Sequence, residues 1–182
     1  DVKIAAIDDE GGVDARAAAV PRGEQGELLI RGPQVMRGYL NAPEKTAECM
    51  LADGWMRTGD VAVMDADGYL FIRDRLKELI KYKGHQVAPA ELEDLLCTHP
   101  AVSDAAVIPV EDTMAGELPR AYVVLRPGQQ ASSDDIVRFV DERVSAFKKL
   151  RGGAIIVDSV PKTASGKILR RLVVQQDRAR SG

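Results

Sequence analysis

The sequence predicts an α+β fold in two unequal parts, a β-rich segment reaching to about residue 74 and a three-strand, three-helix module beyond it. Three observations carry this expectation. Runs rich in β-branched and aliphatic residues (VKIAAID, GELLIRG, VAVM, YLFIR) fill the first part and are bracketed by Gly and Asp punctuation. From about Arg75 the pattern changes, and amphipathic helical stretches alternate with strand-like runs. The composition, 45% hydrophobic and 29% charged over 182 residues, is that of an ordinary soluble chain with room for one domain or two small ones.

The elements follow in order. VKIAAID reads as a strand that ends in the acidic, Gly-rich DDEGG, and a loop carrying Pro21 and Gly23 leads to the second strand, GELLIRG. NAPEKTAECML is a short helix with Asn41 as its cap and Pro43 in its first turn. VAVM and YLFIR are two strands joined by the tight turn DADG. ELIKYKGHQVA gives two short strands around a Gly84 turn, and PAELEDLLCTH a helix with Leu92, Leu95 and Leu96 on one face. AVSDAAVIPV and PRAYVVLRPG are strands separated by the loop EDTMAGEL. SSDDIVRFVDERVSAF is a helix capped at Ser132 or Ser133, with Ile136, Val137, Val140 and Val144 facing inward. GAIIVDSVP is the last strand, followed by the loose loop PKTASGK and a terminal helix. No internal repeat is visible.

Charge and composition exclude several classes. A net charge of −3 and 4% aromatic residues argue against bulk nucleic-acid affinity or base stacking. The apolar runs are far shorter than the roughly 20 residues of a membrane helix. The opening DVKIAAIDDE is acidic and strand-like rather than a signal peptide, so a cytoplasmic protein is expected. The chain does not begin with methionine, and a piece of a longer polypeptide is expected. Cys49 and Cys97 lack CxxC partners and read as two buried free thiols. His85 and His99 stand apart, as structural or surface histidines usually do.

Three patches carry candidate chemistry. In RTGD, residues 57–60, Asp60 stands on a turn before a strand, where a carboxylate can accept two hydrogen bonds from a vicinal diol such as a ribose. In RDRLKELIKYKGHQ, residues 73–86, Arg73, Arg75, Lys77, Lys81 and Lys83 suit phosphate, although a solvated strand face has the same composition. In PKTASGKILRR, residues 161–171, a small-residue loop lets Lys167 swing into a site, ahead of Arg170 and Arg171. Asp65 and Asp67 in MDADGYL hint at a calcium loop, but the remaining ligands do not follow at the required spacing, so no metal site is expected. Neither a G-x-x-x-x-G-K-[ST] loop nor a G-x-S-x-G elbow nor H-E-x-x-H occurs.

The order GELLIRGPQVMRGYLN, GWMRTGD, DRLKELIKYKGHQVAPAELE, PKTASGKILRR resembles the C-terminal part of an adenylate-forming (AMP-binding) enzyme. The superfamily is that of acyl-CoA synthetases, 4-coumarate–CoA ligases and firefly luciferase, and the wording IKYKGHQVAPAELE is closest to the CoA-ligase and luciferase branch. The resemblance implies that residues 1–74 end a large AMP-binding domain, 75–78 form a hinge and 79–182 form a small C-terminal domain. It implies an acid–thiol ligase that forms an acyl-adenylate from ATP and a carboxylic acid, then passes the acyl group to coenzyme A. Asp60 matches the ribose-binding aspartate and Arg75 its supporting arginine. Lys167 matches the lysine that reaches between carboxylate and α-phosphate during adenylation, and Lys77 the pivot of the small domain. Lys81 and Gln86 match residues of the adenylate and thioester steps, and Gly84 the glycine beside the pantetheine arm. His85 departs from the aromatic common at its position.

The family's Gly/Ser/Thr-rich phosphate loop, adenine segment, acyl pocket and magnesium ligand match nothing here. The chain is therefore expected to need the remainder of the N-terminal domain and to be inactive alone. Other readings are a luciferase-like oxygenase, a ligase for a carrier-protein thiol, or a non-catalytic phosphate- or nucleic-acid-binding module.

Overall fold

A computed structural model describes residues 1–8, 12–14 and 18–181. Two compact units emerge, Asp1–Glu78 and Leu79–Gly182.

The first unit is an antiparallel meander of β1 (Val2–Ala5), β2 (Gln25–Ile30), β3 (Met56–Met64) and β4 (Leu70–Arg75), with strand order β1-β2-β3-β4. Residues 9–11 of the DDEGG punctuation lie outside the described residues. Ile4, Leu28 and Ala62 are buried together on one face, with Val20, Ile30 and Met64 packed against them. Ala5, Leu29 and Val61 are buried as well. The β3–β4 turn lies where DADG suggests, because the Asp65 carboxylate accepts the Tyr69 N–H (2.8 Å) and Gly68 takes a φ of +91°.

Three expectations for this unit are corrected. RTGD does not precede a strand but lies within β3, whose ladder slips between the pairs Leu29↔Arg57 and Glu27↔Val61. The extra residues bow out as a bulge, with Gly59 at φ +71°. Helix α1 (Pro43–Cys49) is capped at Ala42 without a side-chain bond, since Asn41 spends its tolerance of positive φ (54°) on the turn before it. Cys49 is half-buried and Cys97, in the second unit, is exposed, so neither is a fully buried thiol.

The second unit is built on the long hairpin of β7 (Val102–Asp112) and β8 (Gly116–Leu125). The short hairpin β5 (Ile80–Tyr82) and β6 (His85–Val87) joins β8 at Gly116, and β9 (Ala154–Ile156) pairs parallel with β8. The sheet thus has five strands, the three expected to alternate with the helices (β7, β8 and β9) and the two expected short ones, with β5–β6 and β9 attached to the β7–β8 hairpin. Period-two alternation divides β7 between two cores. Ala105 and Val107 pack with Leu92 and Leu96 of α2 (Pro89–Cys97) and Ile136 and Val140 of α3 (Ser133–Asp141). Ala106 and Ile108 pack with Tyr122, Val160 and Val173, the last from α4 (Arg170–Ser181).

EDTMAGEL is not a loop of its full length. The Asp112 carboxylate accepts the N–H groups of Met114 (3.0 Å) and Ala115 (2.7 Å), which tightens the turn and lets Val110 pair with Leu118 and Glu111 with Glu117. Helix α3 starts at the Ser132 cap but stops at Asp141 rather than running to Phe147. The Asp141 carboxylate there accepts the Leu150 N–H (3.0 Å) from the returning chain, and Ala146–Lys148 form a separate 3-10 turn.

Candidate functional site

Asp60 sits on the β3 bulge, and its position follows from a buried charge beneath it. Glu27, fully buried in β2, accepts the Gly59 N–H (3.0 Å) on one carboxylate oxygen and the Arg57 guanidinium on the other (2.7 and 2.9 Å). Thr58 donates its hydroxyl to the Leu28 carbonyl (2.9 Å) and accepts the Asp60 N–H (3.0 Å). Arg75, on the neighbouring strand, meets the Asp60 carboxylate at 2.9 Å and donates to the Thr58 carbonyl at 3.1 Å. The Asp60–Arg75 pair is half-exposed and contributes at most about 1 kcal/mol of stability, so its geometry rather than its energy matters. A carboxylate offers about four acceptor sites, so Asp60 held this way keeps capacity for the two hydroxyls of a diol. Lys77 is exposed in the one-turn 3-10 helix Leu76–Glu78, which ends the first unit.

Lys81, Gly84 and Gln86 come together on the β5–β6 hairpin. Lys81 and Gln86 are direct cross-strand partners, so their side chains share one face. Lys83 (φ 47°) and Gly84 (φ 78°) form its two-residue turn, both in the left-handed region that such a turn requires. Space around Gly84 is open: a Cβ there meets nothing within 4 Å. The hairpin is braced by contacts that the sequence did not signal. The His85 ring stacks on Phe147 (4.5 Å between centroids, 16° between planes), and Arg151 lies 5.4 Å from the Tyr82 ring. The Lys81 N–H donates to the Glu117 carboxylate at 2.7 Å.

Lys167 is exposed, but its loop is not loose as expected from its small residues. The Thr163 hydroxyl accepts the Lys167 N–H (3.1 Å), while the Thr163 N–H donates to the Lys167 carbonyl (2.8 Å). Gly166, at φ +84°, donates to the Thr163 carbonyl (2.9 Å), and the Leu169 N–H donates to Pro161 (2.9 Å). Threonine and glycine here close a tight turn instead of conferring slack. Lys162 reaches Asp104 of β7 at 2.7 Å. Just past the loop, Arg170 pairs with the buried Glu93 of α2, which also accepts the Val107 N–H at 2.7 Å.

A second buried charge fastens α4 to the sheet. Asp177 accepts from Arg120 and from the Tyr122 hydroxyl, both at 2.7 Å. Burial, followed by the hydrogen bond to Asp177, pushes the Tyr122 hydroxyl up to about 12. Sequence reasoning missed Glu27, Glu93 and Asp177 as structural charges. The available signal was an acid inside an otherwise apolar strand or helix face, as in GELLI and AELEDLL.

Residues 91–167 match the family of the AMP-binding enzyme C-terminal domain. The chain is 52% identical over 157 residues to a 4-coumarate–CoA ligase-like protein of Oryza sativa subsp. japonica, covering 86% of this chain and 28% of the rice protein. Among solved structures, ATP-bound MatB from Rhodopseudomonas palustris superposes with a TM-score of 0.85 at 29% identity, over 97% of this chain and 33% of that one. The o-succinylbenzoate CoA synthetase of Bacillus subtilis, in complex with its acyl-adenylate intermediate, gives 0.77 at 32% identity, over 94% and 33%. The chain thus spans about a third or less of the length of these relatives.

Proposed function

Because the chain belongs to the adenylate-forming enzymes through its AMP-binding C-terminal domain, we propose that it is the C-terminal part of an ATP-dependent carboxylate–CoA ligase. The reaction has two halves: a carboxylate attacks the α-phosphate of ATP and expels pyrophosphate, then a thiol displaces AMP from the acyl-adenylate. Asp60 accepts the ribose hydroxyls and Arg75 holds its carboxylate in place. Lys167 stabilises the negative charge that builds on the carboxylate and α-phosphate oxygens during adenylation. Lys81, Gly84 and Gln86 serve the face where the thiol enters, and Lys77 is the pivot between the two arrangements. Magnesium and the triphosphate are held by residues outside this sequence, so the chain alone is expected to release no pyrophosphate.

One observation carries this reading. The β5–β6 hairpin joins β8 at Gly116, whereas the Lys167 loop is tied to Asp104, whose partner on β8 is Val124. Gly116 and Val124 are eight residues apart, so at ~3.3 Å per residue the two anchor points lie roughly 26 Å apart along the strand. They also fall toward opposite edges of the sheet, β6 and β7. Anchor points so far apart on one rigid unit favour presenting the two groups to a reacting carbonyl in turn, which supports their use in separate half-reactions.

The test uses the full-length enzyme. Lys167→Ala is expected to lower ATP–pyrophosphate exchange by on the order of 10²- to 10³-fold, the cost of one lost transition-state contact. It leaves thioester formation from pre-made acyl-adenylate nearly unchanged. Gly84→Leu does the reverse, and Gly84→Asn, which tolerates the left-handed turn, separates backbone strain from blockage. Equal damage to both steps by each variant rules out the two-arrangement reading. Offering coenzyme A and a phosphopantetheinyl carrier protein in parallel identifies the thiol acceptor.

A further inference from the structure

The Lys167 loop is anchored at both ends to the same edge of the sheet. Upstream, Lys162 meets the Asp104 carboxylate (2.7 Å). Downstream, Arg170 places two guanidinium nitrogens against the two carboxylate oxygens of Glu93. Glu93 is buried, and one of its oxygens also accepts the Val107 N–H at 2.7 Å, so its position is fixed by the open edge of β7. Between the anchors the chain closes on itself through Thr163–Lys167 and Pro161–Leu169 hydrogen bonds and a bridge between Lys162 and Ile168. A two-point bidentate contact sets both the height and the rotation of the residue bearing it. Arg170 stands three positions after Lys167. A buried Glu–Arg pair is no better for stability than a well-packed apolar pair, which leaves geometric definition as the property it supplies.

We propose that Glu93 and Arg170 are positioning residues for Lys167, with Lys162–Asp104 as the second anchor. The loop then travels as a rigid piece of the second unit, and the reach of Lys167 comes from movement of that unit rather than from slack in the loop. Neither residue touches the reacting atoms; they act by fixing where the ammonium group arrives. The inference rests on the adenylation role assigned to Lys167 above.

The experiment is run in the full-length enzyme. Glu93→Gln keeps the shape and an acceptor for Val107 but removes the charge that holds Arg170. It is expected to lower kcat of pyrophosphate exchange by about 10- to 100-fold, the scale of an ångström of misplacement, with KM for ATP changed less than about twofold. Thioester formation from pre-made acyl-adenylate stays within about twofold of the parent. Arg170→Lys, which keeps the charge but not the fork, retains more exchange activity than Arg170→Ala. In the Lys167→Ala background, Glu93→Gln produces no further loss. A merely structural pair would depress both half-reactions together and add to Lys167→Ala, and either result overturns the proposal.

Amide hydrogen exchange supplies a readout that does not depend on activity. The amides of Lys167 and Leu169 are expected to exchange faster in Glu93→Gln than in the parent, and unchanged exchange there overturns the clamp. If Lys167→Ala itself leaves pyrophosphate exchange intact, the assigned role of Lys167 fails, and the amide rates still decide whether the clamp exists. Should Glu93→Gln not fold, Lys162→Ala removes the exposed anchor, with the same direction expected in kcat and in the Lys167 amide rate.

Discussion

The side chain that most defines the β3 bulge carrying Asp60 is Glu27, which is buried beneath it. Asp60 and Arg75 were singled out in the sequence through the resemblance carried by RTGD and RDR, and the structure pairs them at 2.9 Å. Glu27 was not, since GELLIRG reads equally well as an alternating strand with one polar position. Only pairing β2 with β3 reveals that its carboxylate faces Arg57 and the Gly59 N–H. Glu27→Gln puts an amide NH2 against the Arg57 guanidinium and removes the charge of the ion pair. The expected cost is about 3 kcal/mol, toward the low end for a broken buried pair because Arg57 retains some exposure. With the bulge loosened, Asp60 loses its fixed height, so KM for ATP in the full-length enzyme is expected to rise. Denaturant titration and ATP kinetics check the two halves, and a normal KM in a destabilised variant would confine Glu27 to folding.

At the scale of elements, the sequence was most legible where a local rule fixes the outcome. Ser132 caps α3 through its hydroxyl, which accepts the Asp135 N–H (3.1 Å), and the Asp135 carboxylate accepts the Ser132 N–H (3.1 Å) in return. It was least legible where a side chain folds back to serve the backbone. Asp112 and Thr163 each turn a Gly- and Ala-containing stretch into an ordered turn, and neither composition nor periodicity distinguishes that from slack. The α3 cap makes a pH-dependent prediction. The hydrogen bond from the Ser132 hydroxyl, then that from its N–H, holds the Asp135 carboxyl below the ordinary aspartate range. A depressed folded-state value means that the cap's contribution is full above the usual aspartate pKa and is lost as pH falls through the lower folded one. Carbon-detected titration should therefore find Asp135 ionising below ordinary aspartates and returning to their range in Ser132→Ala. The difference in melting temperature between Ser132→Ala and the parent should shrink as pH is lowered through the same interval. A difference that is flat with pH would mean that the capping box does not persist in solution.

At the scale of the whole molecule, the two units differ in how fully they bury their own apolar surface. The second covers both faces of its sheet, with Leu92, Leu96, Ile136 and Val140 on one side and Tyr122, Val160 and Val173 on the other. Each such aliphatic side chain removed from water contributes about 1.5–3 kcal/mol. The first gathers a far smaller cluster around Ile4, Leu28 and Ala62. Its β4 edge leaves Tyr69 (70% exposed), Phe71 and Ile72 (56%) open to solvent. An unpaired strand edge with apolar side chains is both a weak point and a surface awaiting a partner. The partner expected from the relatives' greater length is the remainder of the large domain. Amides of β1–β4 in this chain are accordingly expected to exchange through low-energy local openings, while those of β7 and β8 exchange only near global unfolding. Native-state hydrogen exchange against denaturant separates the two populations directly. In the full-length enzyme the β4 amides should gain protection and those of β7 and β8 should not. Equal protection of both units in this chain would mean that the exposed β4 strip costs nothing and that the first unit is a self-sufficient domain.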